Sequence, residues 1–176
     1  SSTPNPSSFG QNVVVSAAVS VTAPGAGTAT GSVQFKDGIT SIGAPQALVL
    51  GVATLNTSAL SAGAHTLTAV YTPDVVSFTG STSLGYTHTV NAAATSTTLT
   101  SSPNPSVVGE SVALTATVAP AAATGTVNFF EGATLLGGAS LVAGSATVNT
   151  SLLSLGGHSL TAVYVGDLSY AGSTSA

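Results

Sequence analysis

The sequence predicts an all-β protein built as two antiparallel β-sandwiches in tandem. Three observations predict it. Apolar residues recur at period two, turn-forming Gly, Pro, Asn and Ser cut the chain into short runs, and one order of motifs occurs twice. No ten-residue stretch carries a capped helical stripe.

The repeat opens on Pro4-Asn5-Pro6-Ser7, which returns as Pro103-Asn104-Pro105-Ser106, followed in each copy by Gly10 or Gly109 and a Val-rich run. In the first run Val13, Val15, Ala17, Val19 and Val21 share one face. Its counterpart sets Val112, Leu114, Ala116 and Val118 against Ala113, Thr115 and Thr117, the alternation of a half-buried strand. The next strand is Gly31-Ser32-Val33-Gln34-Phe35, matched by Gly125-Thr126-Val127-Asn128-Phe129, with the Val and Phe of each on one side. Asn56-Thr57-Ser58 and Asn149-Thr150-Ser151 come next. The longest match sets His65-Thr66-Leu67-Thr68-Ala69-Val70-Tyr71 against His158-Ser159-Leu160-Thr161-Ala162-Val163-Tyr164. Asp74 and Asp167 follow three residues later, and both copies finish on Gly-Ser-Thr-Ser. The spacing drifts from 99 residues at Pro4 and Pro103 to 92 at Gly80 and Gly172, as loops gain or lose residues. This is a tandem duplication, with unit 1 at residues 1–91, unit 2 at residues 92–176, and about seven short strands expected in each.

The ends are out of phase with the repeat, because Ser1 aligns with Thr100 and Ala176 with Leu84. Unit 1 is therefore expected to have its first strand missing or supplied from elsewhere, and unit 2 its last. Such edges expose unpaired backbone groups, which invite an added strand. An excerpt of a longer array explains the phase plainly. Strands supplied by a neighbouring subunit would instead build a head-to-tail filament, since a heterologous contact of that kind does not close.

Five motifs thus occur twice in one order: Pro-Asn-Pro-Ser, G-[QE]-x-V, G-x-V-x-F, Asn-Thr-Ser and G-x-H-x-L-T-A-V-Y. In this the chain resembles the bacterial Ig-like repeat domains of large cell-surface and secreted proteins. The resemblance implies Ig-like sandwiches strung as beads, acting as spacers or binding modules in adhesins, surface layers, fibres and exoenzymes. It implies no catalytic residue set, and an extracellular or cell-surface location.

Composition excludes several function classes. Charged residues are 3% of the 176, against roughly 25% in ordinary domains. With a net charge of −4 and Lys36 as the single strong base, the chain cannot neutralise phosphates, so neither nucleic acid nor an anionic membrane surface is an expected partner. The absence of Cys removes disulfides, thiolate nucleophiles and Cys-based metal sites. Mean hydropathy is positive, yet no run approaches the ~18–20 apolar residues of a membrane span, and the opening residues show no signal-peptide pattern. A surface of Thr, Ser, Ala and Val suits packing against copies of itself, or a cover of glycans.

Candidate sites are few. His65, His158 and His88 have no His-x-His spacing and no neighbouring carboxylate in the sequence, so the expectation is a histidine bonded to a loop rather than a metal ligand or general base. No Gly-x-Ser-x-Gly elbow suggests a serine nucleophile. Calcium takes roughly six to eight oxygens. Asp74 and Asp167 are the weak candidates for it, and turn capping is the better reading of both. Asp37 and Glu131 share a Phe-x-[Asp/Glu]-Gly turn. Tyr71 and Tyr164 read as core residues whose hydroxyls reach a backbone group. Lys36 is a poor cross-linking candidate, because its counterpart is Phe130. Asn56 and Asn149 stand in Asn-x-Ser sequons and are the glycosylation candidates.

The expected function is a non-catalytic structural or spacer segment of a long exported bacterial surface protein, possessing no cofactor. Its partners would be neighbouring copies of itself or adjacent Ig-like repeats, with filament assembly as an extension of that role. The alternatives are an adhesive module for a carbohydrate or host protein, and an accessory repeat of an exoenzyme. Aromatics at 5%, mostly in strands, count against sugar stacking.

Overall fold

The computed structural model describes all residues, Ser1–Ala176, and every regular element in it is a β-strand. The chain folds as two compact units, Ser1–Asn91 and Ala92–Ala176.

Unit 1 contains β1 (Ser2–Thr3), β2 (Ser7–Ser8), β3 (Val13–Ala18), β4 (Gly31–Asp37), β5 (Thr40–Ala47), β6 (Val52–Thr57), β7 (Gly63–Pro73), β8 (Ser81–Thr82) and β9 (Tyr86–Asn91). One sheet has the order β1-β3-β6, and the other β2-β9-β7-β4-β5, with β8 paired to the far end of β7. Pairing is antiparallel except between β2 and β9. Period-two alternation sends one set of side chains between the sheets. Val13 and Val15 of β3 and Ala53 and Leu55 of β6 meet Val33, Phe35, Leu67, Tyr71 and Val90 from the second sheet, all buried.

Unit 2 repeats the plan with β10 (Ser96–Ser102), β11 (Val112–Ala119), β12 (Thr126–Glu131), β13 (Thr134–Ser140), β14 (Ser145–Thr150), β15 (Leu160–Tyr164) and β16 (Ser173–Thr174). Its sheets run β10-β11-β14 and β13-β12-β15-β16. Val112, Leu114, Ala116, Val118, Val127, Phe129, Ala162 and Tyr164 form the core. Both units turn one hairpin through two residues at positive φ: Leu50-Gly51 (51° and 80°) and Ala143-Gly144 (49° and 78°). This geometry suits the right-handed twist of paired strands, and places a non-glycine residue in the left-handed region.

The units differ at their edges. Strand β10 pairs with β11 over seven residues, from Ser96↔Ala119 to Ser102↔Ala113. In unit 1 the described residues place β1 on that edge, paired at Ser2↔Val15 and Thr3↔Val14. Conversely, β7 runs eleven residues and β15 five. Residues 63–66 of β7 pair with β9, and their counterparts 156–159 in unit 2 have no strand beside them and are not extended into one. Of unit 2's closing edge, β16 forms the part equivalent to β8.

Candidate functional site

Several titratable side chains join separate parts of a sandwich: His65, His88, His158, Asp74 and Asp167 each bond to a residue distant in the chain. Register between β4 and β7 (Asp37↔Leu67) brings the turn carboxylate beside the start of β7. There His65 Nδ1 lies 2.7 Å from Asp37 Oδ2 and Nε2 lies 2.8 Å from the Ser61 carbonyl oxygen. Burial of the ring works against its protonation, but the Ser61 carbonyl and the Asp37 carboxylate outweigh it and raise the His65 pKa above its usual value. Unit 2 builds the same clamp. His158 Nδ1 is paired with Glu131 Oε1, and its Nε2 lies 2.9 Å from the Ser154 carbonyl oxygen. The bond to Glu131 is the chief cause of its raised pKa, with the Ser154 carbonyl next. The sequence reading put no carboxylate near these histidines. The structure corrects that, because the partner comes from a hairpin turn 28 residues away in unit 1 and 27 in unit 2. An imidazolium donating from both nitrogens has no lone pair left for a metal or for proton abstraction.

His88 on β9 is different. It is fully buried, with Nδ1 2.8 Å from Ser2 Oγ and Nε2 2.9 Å from Ser7 Oγ. Burial, helped by the nearby His65, lowers its pKa, so this ring is neutral and satisfied by two hydroxyls that can each donate or accept. One residue thereby ties β9 to both β1 and β2. Nothing in the sequence reading singled out this clasp.

The tyrosines sit where they were expected. Tyr71 donates to the Thr30 carbonyl at 2.6 Å, and Tyr164 to the Thr124 carbonyl at 2.7 Å, each anchoring the loop before the neighbouring strand. Asp74 accepts from Thr30 Oγ1 at 2.5 Å. Asp167 accepts from Thr124 N (2.9 Å) and Oγ1 (2.7 Å) through Oδ2, and from Ser169 N and Tyr170 N (2.8 Å each) through Oδ1. Desolvation opposes ionisation of Asp167, but these four bonds prevail and bring its pKa down to about 2. Its lone pairs are spent on the loop. No group of three or more His, Asp or Glu side chains stands close enough together to hold a metal ion. Asn56 on β6 and Asn149 on β14 are exposed, each beside an inward core position. Lys36 lies on β4 opposite Ser41 and Thr68.

Two grooves complete the geometry, one in each unit. The first, about 380 Å³, runs along unit 1 beside Val15, Ala17, Val19 and Ala69. The second, about 370 Å³, lies in unit 2 between the Pro103–Val108 segment and residues 154–160.

The family description "Bacterial Ig-like domain (group 3)" matches residues 1–91 and 99–176. Among solved structures, fibronectin(III)-like modules of Clostridium thermocellum CbhA are 20% identical, over 98% of this chain and 90% of theirs, with a TM-score of 0.37. The human OSCAR ligand-binding domain is 14% identical, over 100% of this chain and 94% of its own, with a TM-score of 0.38. No curated protein sequence matches the chain. With two sandwiches and a family match over nearly every residue of both, the chain belongs to the bacterial Ig-like domain family, group 3, as two consecutive copies.

Proposed function

We propose that this chain is a structural spacer segment of a long exported bacterial protein, working outside the cell or on its surface, with copies of itself or adjacent Ig-like repeats as partners. Domains of this family are generally non-catalytic and typically belong to exported proteins. One observation carries the reading: the matching histidines and tyrosines are spent on holding the sandwich, in the same way in both units. His65 and His158 clamp the β4–β7 and β12–β15 corners, Tyr71 and Tyr164 anchor loops, and Asp167 caps one. A duplicated unit whose polar residues serve its own fold is a building block that extends by repetition.

The nearly uncharged surface supports the same reading, since it favours close contact with similar surfaces over solvation as a free monomer. Filament assembly follows as the extended form of the role. Asn56 and Asn149 are proposed as glycan attachment points, which intact-mass spectrometry of native protein checks. Negative-stain electron microscopy of the native material tests the function: fibres or strings of beads with a sandwich-length repeat are expected. Compact isolated particles that turn over a substrate would overturn it.

A further inference from the structure

We infer that the segment joining the two units is a strap fastened to unit 2, not a free linker. Residues 93–97 are seated along the loop of residues 165–173, and this seating keeps the connector closed to proteases. The inference deepens the spacer role proposed above, and rests on it only for the extracellular setting in which proteases matter.

The connector sequence does not stiffen itself. Val90-Asn91-Ala92-Ala93-Ala94-Thr95 has no proline, and exposed connectors of small residues are where proteases cut. Bonding is what fixes it. In unit 1 the Asn91 carbonyl accepts from Phe9 N at 2.8 Å. Two residues on, Ala93 forms a parallel bridge with Tyr170. Ala93 N donates to the Ser169 carbonyl and Ala171 N donates to the Ala93 carbonyl, both at 2.8 Å. Thr95 Oγ1 then donates to the Ala171 carbonyl at 2.7 Å and lies 2.7 Å from Ser173 Oγ. Thr97 of β10, which is buried, meets the same serine hydroxyl at 2.7 Å. Each hydroxyl has one proton, so the three bonds run one way: Thr97 donates to Ser173, Ser173 to Thr95, and Thr95 to the carbonyl. Ala92 alone separates the end of β9 from the first bridged residue.

The seat holds its shape independently of the strap. Gly166, at a φ of 91°, and Gly172 form its neck. A Cβ on Gly166 would lie 2.9 Å from Gly172 N, and one on Gly172 would lie 2.8 Å from the Tyr164 carbonyl oxygen. Between them the Asp167 carboxylate holds Ser169 N and Tyr170 N, while Asp167 N donates to the Tyr170 carbonyl at 2.9 Å. Tyr170 packs on the core of unit 2. The turn so fixed presents the Ser169 carbonyl and the Ala171 N–H to Ala93. Unit 1 has Asp74, Phe78, Gly80 and Ser81 at the positions of Asp167, Tyr170, Gly172 and Ser173, so the loop belongs to the repeat.

Two measurements on the intact chain test the strap. The amides of Ala93 and Ala171 are expected to exchange at least about a hundredfold more slowly than in an unstructured chain. Elastase, which cuts after small residues, is expected to spare Ala92, Ala93 and Ala94 under native conditions while cutting a free peptide of residues 90–95. Thr95→Val keeps the branched shape and removes the hydroxyl. Cleavage at the connector is then expected to rise about tenfold, because it follows the population of the opened segment. Thr95→Ser restores the hydroxyl and is expected to restore resistance. Free-rate exchange of the two amides overturns the inference, as does cleavage of the original chain as fast as the peptide, and neither result needs a variant. A Thr95→Val chain that keeps the unit 2 NMR spectrum and is cut no faster than the original also overturns it. A protected connector in compact particles that turn over a substrate would leave the strap standing and sink the spacer role. Strings of beads with a freely cut connector would do the reverse.

Discussion

Strands β7 and β15 start from nearly the same residues and end up at different lengths. Gly63-Ala64-His65-Thr66 is strand, while Gly156-Gly157-His158-Ser159 is not, although each is followed by an equivalent Leu-Thr-Ala-Val-Tyr. The difference is the partner: β9 pairs with the first segment and no strand pairs with the second. The first strand tells the same story in reverse. Ala116 and Val118 are buried because β10 pairs with β11 from Ala113 to Ala119, whereas Ala17 and Val19 stay half-buried beyond the reach of the two-residue β1. Ala162 is fully buried and Ala69 is not. Local sequence sets which face of a strand is apolar, and the neighbouring strand decides how far the strand runs and how dry that face becomes.

This comparison can be broken by mutation. The largest effect is expected in the enclosed core: Phe129→Ala costs about 3–5 kcal/mol of unit 2 stability. Phe35→Ala falls at the lower end of that range, because Phe35 borders the unit 1 groove and water can enter there. Urea unfolding followed residue by residue in the NMR spectrum of the intact chain separates the two. His88→Ala should make unit 1 resemble unit 2. It removes a buried ring and leaves two serines without their partner, costing about 2–3 kcal/mol, and residues 63–66 should lose amide protection.

Acidity sharpens the contrast. The raised pKa of His158 gives unit 2 stability that is fully present below 6.5 and lost as pH rises through the folded-state value. His65 does the same for unit 1, but His88 opposes it. With its folded pKa lowered, His88 lets the unfolded chain take up a proton near 6.5 that the folded unit refuses, so stability falls as pH drops below 6.5. Lowering the pH from 8 to 6 should therefore stabilise unit 2 more than unit 1, as urea midpoints at the two values will show. Asp167 adds a second limit for unit 2. Its contribution is present above the usual 3.8 and is lost as pH falls towards about 2. The smallest effect is at the hairpins, where Leu50→Asn and Ala143→Asn are each expected to gain about 0.5–1 kcal/mol. Asn tolerates the left-handed conformation that Leu and Ala resist. A rise in thermal midpoint of the intact chain checks both.

Much of this was legible in the residues themselves. Alternation in the Val-rich runs located β3 and β11 and chose their buried faces, and the position of Tyr71 and Tyr164 at the end of an inward-facing run pointed to hydroxyls reaching a loop. The clamps were not legible, because pairing His65 with Asp37 depends on the β4–β7 register, which is a property of the packed sheet. A signal did exist: the acidic turn and the histidine recur together in both units. The His88 clasp left a subtler trace, the serines Ser2 and Ser7 that recur as Ser101 and Ser106.

The central claim is that the neighbouring strand decides how far a strand runs: β9 extends β7 through residues 63–66, and within Ser1–Ala176 residues 156–159 have no strand beside them. Amide hydrogen exchange of the intact chain, resolved by residue, tests it most directly. Amides of residues 63–66 that point towards β9 should exchange slowly, and those of residues 156–159 should exchange near the rate of an unstructured chain. Equal protection in the two segments would show that both edges are paired, and would contradict the account.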